Sequence, residues 1–358
     1  MLLEGIFAAV TTPFYPDERL YLRKLEHNID RYARTPLAGV VVLGSTGEAV
    51  HLSAEEQREV LATAIAAASP AKVMIAGVGQ ESVHETLRLA DEAARLSYDA
   101  VLVRTPHFYR AQLHRTAAPP AEMLTYFRTV ADRSPLPVIL YSVPDCTHYE
   151  LPVSIVAELA QHPNIIGIKD SSGNVERIAA LVAATALRKR TVAVTQIFAA
   201  VTARMLAQPQ QGTEGQNFLA ADALTHSGAA LAVAPPVPAL KTRSKEIGFS
   251  ILSGAAQSLL PALQAGASGG VLAFAACAPQ CCHEVYTAWK EGDVPLAQEK
   301  QQRITPAATR IGAQLGIPGI KFACDWNGYY GGRPRLPLLP LIAAGQAEVQ
   351  SLLADLRY

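Results

Sequence analysis

A lysine closes the apolar run Asn164-Ile165-Ile166-Gly167-Ile168-Lys169, and Asp170-Ser171-Ser172-Gly173 turns the chain at once. Short apolar runs bounded by turn residues read as buried strands, which puts Lys169 at a strand's C-terminal lip. Among apolar neighbours an ammonium loses hydration, its pKa falls toward neutrality, and the free amine can attack a carbonyl to form a Schiff base. Taken alone, the stretch reads more readily as a solvated lysine paired with Asp170.

Other strand ends carry groups that could serve such an amine. Gly44-Ser45-Thr46-Gly47-Glu48 sets two hydroxyls between two glycines, so backbone N–H groups can face a bound anion. No lysine follows, which excludes a P-loop and leaves a small carboxylate as the candidate ligand. A tight turn that caps a helix explains the same residues. Leu140-Tyr141-Ser142-Val143-Pro144 places a tyrosine where its hydroxyl can pass protons, or where it is a core tyrosine with a satisfied hydroxyl. Thr105-Pro106-His107-Phe108-Tyr109 ends another run, and Thr11-Thr12-Pro13-Phe14 looks structural. The nine histidines lack the clustered spacing of a metal site, so neither a metal nor another cofactor is expected.

The elements that must hold these groups repeat as a short apolar run followed by a helical stretch. The runs are Ile6–Thr11, Val40–Leu43, Val73–Val78, Ala100–Val103, Val138–Tyr141, Ile165–Lys169, Phe249–Leu252 and Gly270–Phe274. Continuous rather than alternating runs suit parallel strands covered on both faces. Ser53-Ala54-Glu55-Glu56 and Ser82-Val83-His84-Glu85 read as capping boxes, the second opening a helix with Val83, Leu87, Ala90 and Ala94 on one face. Eight such units predict an α/β fold, a (β/α)8 TIM barrel with its chemistry at the C-terminal strand ends. The runner-up, an open doubly wound sheet, would normally carry a glycine-rich turn after its first strand. The catalytic barrel is expected over 1–278. An insertion at about 185–248, between the sixth and seventh strands, should interrupt it as a partly helical excursion with a mobile loop. Extra C-terminal helices are expected over 279–358.

The 358 residues are half hydrophobic, 17% charged and formally neutral. That balance argues for a packed core and against a nucleic-acid surface. Arg188-Lys189-Arg190 reads as a solvated helix end. No run approaches the roughly 18 apolar residues of a membrane span, and no leader pattern opens the chain, so a cytoplasmic protein is expected. The five cysteines include no CxxC pair, and Cys281-Cys282-His283 reads as helical free thiols rather than ligands.

In this order and spacing, the motifs at 12–14, 44–48, 105–106, 141–144 and 168–171 resemble the dihydrodipicolinate synthase / N-acetylneuraminate lyase family of pyruvate-dependent Schiff-base aldolases. The resemblance runs from Gly5 to about Thr185 and resumes near Ile251. It implies that Lys169 forms the imine, that Tyr141 moves protons, and that Gly44, Ser45 and Thr46 hold the substrate carboxylate. Ser171, Cys146 and His148 fall on the substrate-binding side. It also implies a homo-oligomer, dimer or tetramer, acting on a 2-oxo acid and an aldehyde. The family's relay tyrosine, which comes from a neighbouring subunit, falls at Phe108, so Tyr109 would have to take its part. Cys146 stands where dihydrodipicolinate synthases carry an arginine for the second substrate. Tyr-Ser-Val-Pro, His162-Pro163-Asn164-Ile165-Ile166-Gly167, Gly316-Ile317-Pro318-Gly319-Ile320-Lys321 and Asp325-Trp326-Asn327-Gly328-Tyr329-Tyr330-Gly331-Gly332 are similar to the 4-hydroxy-2-oxoglutarate aldolase branch. The C-terminal segment is expected to lie far from the chemistry. The expected activity is cleavage of a 4-hydroxy-2-oxo acid to pyruvate and an aldehyde such as glyoxylate. Dihydrodipicolinate synthesis, a sugar-acid aldolase or dehydratase, and a catalytically silent binding paralogue are the alternatives.

Overall fold

The computed structural model describes residues 1–113, 121–207 and 240–356. Its strands are β1 (Gly5–Ala9), β2 (Gly39–Val42), β3 (Val73–Gly77), β4 (Ala100–Arg104), β5 (Val138–Ser142), β6 (Ile165–Asp170), β7 (Arg190–Thr195), β8 (Thr242–Ile247), β9 (Ser250–Ser253) and β10 (Gly269–Leu272). All but β7 and β8 join in a closed parallel barrel, in which β9 follows β6 and β10 closes against β1. Each of the eight apolar runs supplies one barrel strand, so the closed barrel prevails over the open sheet.

Both faces of each barrel strand are buried, for two different reasons. Phe7, Val41, Ile75, Leu102, Ile139, Leu252 and Val271 pack on one another inside the barrel. Their neighbours Ile6, Val40, Met74, Val101, Leu140 and Ile251 join a larger cluster with the surrounding helices. This is the physical origin of the continuous apolar runs: successive side chains point to opposite faces, and neither face meets water.

Helix starts follow the sequence signals in part. Ser53 and Glu56 complete a reciprocal capping box at 2.9 and 3.2 Å. Ser82 accepts from the Glu85 N–H, but the Glu85 carboxylate turns to Arg88 at 2.8 Å, so that box is only half formed. The helix Val83–Arg95 buries Leu87 and Ala90 together with Thr86, Leu89 and Ala93, while Val83 and Ala94 are only partly covered.

Between β6 and β9 the chain departs from a minimal barrel. β7 and β8 form an antiparallel ribbon, and the short helix Ala203–Ala207 follows β7. The expected helical excursion is therefore mainly a ribbon where it is described. Gln208–Asn217 and Ala234–Pro238 lie outside the described residues. Arg190 is not a solvated helix end: it opens β7 and donates to the carbonyls of Met1 and Ile166, each at 3.2 Å.

The C-terminal region is helical over Pro279–Lys290, Val294–Ala307, Gly316–Trp326 and Ala343–Leu352. Pro306 lies inside the second of these, and a wider π-type turn, Ala308–Gln314, follows at once. A proline removes one intrahelical N–H and crowds the preceding turn, and helices relieve such crowding by local rewinding. No helix among the described residues is long and apolar enough to cross a membrane.

Candidate active site

Lys169 is the penultimate residue of β6 and only 4% exposed. A register shift decides what it faces. Val138 on β5 pairs with Ile165, yet Ile139 pairs with Gly167, so β6 holds one extra residue there. Such a bulge re-aims every side chain beyond it. Ile166 points into the barrel, Ile168 points out, and Lys169 comes level with Tyr141. Without the extra residue Lys169 would pair one position later, with Ser142.

The lysine Nζ lies 4.2 Å from the centroid of the Tyr141 ring. The Tyr141 hydroxyl meets Ser45 Oγ at 3.0 Å. Asp170 points to the opposite face, where its buried carboxylate takes Arg177 at 2.7 Å and the Ser172 N–H at 3.0 Å. The solvated Lys169–Asp170 pair that the sequence allowed is therefore not formed. Adjacent strand residues face opposite sides, and Arg177, on the helix Val175–Thr185, supplies the missing cation.

The turn after β2 is built around an uncommon backbone. Leu43 adopts φ 59°, in the left-handed region that few bulky residues enter. Gly44 then leads into the tight turn Ser45–Gly47, and the Thr12 hydroxyl donates to the Gly47 carbonyl at 2.6 Å. The "structural" threonine motif at the end of β1 thus braces the residues expected to hold a carboxylate.

These elements enclose a pocket of about 230 Å³. Lys169, Tyr141, Ser45, Thr46, Ser171 and Cys146 line it. Gly254 makes room for Ser171, since a Cβ at that position would lie 2.0 Å from Ser171 Oγ. Desolvation first, and the Asp145 charge second, push the Cys146 thiol above its ordinary value of 9.0. Among the described lining residues Lys169 is the cation and Asp145 the acid.

Three expected residues stand elsewhere. Gly44 precedes the turn and does not line the pocket. Tyr109 is 63% exposed and packs edge-on against the still more exposed Phe108 at 5.1 Å. The cause is Glu81, whose carboxylate accepts from the His107 and Phe108 N–H groups at 2.9 Å each and holds the loop outward. Within one chain, Tyr109 does not reach Tyr141's pocket. His148 ends the short helix Pro144–Thr147 at φ 51°, exposed and away from the lining.

The largest correction concerns the C-terminal segment. Gly312 and Ala313 of the π-type turn, and Gly316, Ile317 and Ile320 of the helix after it, form one wall of the pocket. The segment expected to be remote therefore shapes the site. Its motif was visible in the sequence, but nothing local marks a distant helix as packing over a strand end. Asp145 and Gln257 also line the pocket without any motif to announce them.

The described geometry is that of a buried amine beside a tyrosine–serine hydroxyl pair, with the Ser45–Gly47 turn in the same pocket. Comparison with known proteins gives the family and the fold. The model of the dihydrodipicolinate synthetase family matches residues 2–215 and 239–356. A 4-hydroxy-tetrahydrodipicolinate synthase of Methanothrix thermoacetophila is 27% identical over 355 residues, covering 99% of this chain and 97% of its own. One from Neisseria gonorrhoeae is 27% identical over 352 residues, covering 98% of both. Among solved structures, YagE, a dihydrodipicolinic acid synthase family protein of E. coli K12 in complex with pyruvate, superposes with a TM-score of 0.75 at 25% identity, covering 99% of each chain. A putative dihydrodipicolinate synthetase from Pseudomonas aeruginosa superposes at 0.76 and 23% identity, covering 99% of this chain and 100% of its own.

Proposed function

The chain belongs to the dihydrodipicolinate synthetase family, and from that premise we propose that it is a carbon–carbon lyase in which Lys169 forms a Schiff base with pyruvate or a longer 2-oxo acid. One observation carries the reading: Lys169 is buried, Asp170 is engaged elsewhere, and its Nζ sits over Tyr141, whose hydroxyl meets Ser45.

The neutral amine adds to the keto carbon, and the carbinolamine loses water with a proton delivered through the Tyr141–Ser45 pair. The resulting iminium accepts the electron pair when the C3–C4 bond breaks. The 4-hydroxyl gives up its proton as its oxygen becomes a carbonyl, the C4 fragment leaves as an aldehyde, and the enamine left on Lys169 takes a proton at C3. Water then releases pyruvate and regenerates the amine. In the synthetic direction the enamine attacks an aldehyde instead. Ser45, Thr46 and the N–H groups of their turn hold the carboxylate of the pyruvate half.

The names of the relatives support the synthetic direction with aspartate semialdehyde as acceptor. Cys146 supports a second reading, cleavage of a 4-hydroxy-2-oxoglutarate-type acid to pyruvate and glyoxylate. A thiol cannot replace a bidentate guanidinium, and Arg104 at the end of β4 is held by Glu81 at 2.8 Å. The exposed Phe108 and Tyr109 fit a contact between subunits of a homo-oligomer.

The test is the intact mass after borohydride reduction with pyruvate. Wild type should gain a pyruvate-sized adduct and Lys169→Ala none. No adduct on wild type rejects the reading, and an adduct on both proteins moves the nucleophile to another lysine. Coupled assays with aspartate semialdehyde, and with 4-hydroxy-2-oxoglutarate, then separate the two directions.

A further inference from the structure

Glu48 and Lys321 form an ion pair of 2.6 Å, and both side chains are wholly buried. Glu48 closes the Ser45–Gly47 turn, donating its N–H to the Ser45 carbonyl at 3.1 Å from the left-handed region at φ 55°. Its second carboxylate oxygen accepts the Arg335 N–H at 2.9 Å and lies 3.4 Å from His51 Nδ1. Lys321 also donates to the Arg333 carbonyl at 2.9 Å, and its Nζ lies 4.3 Å from the centroid of the Phe14 ring.

The two partners belong to two elements that both line the pocket. Glu48 ends the turn that offers Ser45 and Thr46. Lys321 follows Ile320 on the helix whose Gly316, Ile317 and Ile320 line the same pocket. A buried ion pair gains little over an apolar pair of similar volume, because desolving two charges offsets most of their attraction. Stability alone therefore does not account for two charges here. Direction does, since a short charged contact fixes separation and orientation where apolar contacts slide.

We propose that Glu48 and Lys321 are positioning residues: a strut that sets the carboxylate-holding turn against the C-terminal wall, and so the alignment of the 2-oxo acid before Lys169. This rests on the Schiff-base reading. Neither residue touches substrate, and both act through Ser45, Thr46 and the wall.

The experiment is borohydride trapping against pyruvate concentration for wild type, Lys321→Met and Glu48→Gln/Lys321→Met, with melting temperatures recorded in parallel. The double variant removes both charges, so neither is left buried alone, and it keeps an oxygen for the Arg335 N–H. Misplacement by about 1 Å can cost up to ~100-fold. The folded variants should therefore need about 10- to 100-fold more pyruvate for half-saturation, while still reaching full labelling. Half-saturation unchanged in the folded double variant overturns the proposal and leaves the pair a packing feature. If the double variant does not fold, Glu48→Asp, which keeps the charge and shortens the strut, decides by the same criterion. No adduct on wild type overturns the Schiff-base reading, and this inference with it.

Discussion

Tyr141 shares its face with Lys169 and meets Ser45 through its hydroxyl, so one side chain links the amine to the turn after β2. In the proposed mechanism the hydroxyl moves protons, so its loss should slow imine formation and turnover without removing the Lys169 nucleophile. Tyr141→Phe should still be labelled by pyruvate and borohydride, yet turn over about 10²- to 10⁴-fold more slowly, the usual contribution of a positioned acid–base group. Steady-state turnover beside the labelling yield checks this. If turnover falls less than tenfold, another residue moves the proton. The same residue-scale geometry explains Asp170. Its charge adjoins Lys169 in sequence but serves Arg177, Ser172 and the helix beyond.

At the scale of the element, β6 is decisive, and its most informative residue is Gly167. A Cβ there would lie 2.5 Å from the Ser250 carbonyl oxygen on β9, a contact the backbone cannot absorb. The glycine therefore lets β9 approach at the point where the bulge resets the register. Gly167→Ala should destabilise the protein by about 1–3 kcal/mol, the range for overpacking a filled core. It should also slow labelling of Lys169, two residues along. Urea unfolding and the trapping rate, measured together, check both halves. A normal trapping rate in a destabilised variant would mean that β9 yields without disturbing the lip.

At the scale of the whole molecule, the C-terminal region is a strap across the barrel mouth. Arg335 makes a two-pronged contact with Glu56, both distances 2.7 Å, and also donates to the carbonyls of His51 and Glu18. Its guanidinium is the main cause that holds the Glu56 carboxyl below its ordinary 4.5. Because the folded value is lowered, the pairing stabilises fully above 4.5 and is lost as pH falls through the lowered value. Arg335→Met should cost about 1.5–3 kcal/mol near neutral pH, as expected for hydrogen bonds to a charged group. The gap to wild type should narrow in acid, where wild type loses the same contact. Melting temperatures of both proteins across the acid range check the sign. A constant gap would place the loss in the carbonyl contacts and in packing on Phe14, whose ring centroid lies 4.4 Å from the guanidinium.

What the sequence determined by itself was the set of strands and the polar groups near their ends. A parallel strand buried on both faces must be apolar throughout, so eight runs and their turn residues were legible one by one. Lys169, Tyr141, Ser45 and Thr46 were legible for the same reason: each ends such a run or stands within three residues of its end. The tertiary structure decided everything that depends on separation across the chain. The bulge that sets Lys169 beside Tyr141 is a property of two strands in register, and neither strand's composition encodes it alone. The outward loop at Tyr109 depends on Glu81, and the site's second wall on a helix about 150 residues beyond the lysine. Short-range pattern fixes which residues point away from water. Only packing fixes which of them meet.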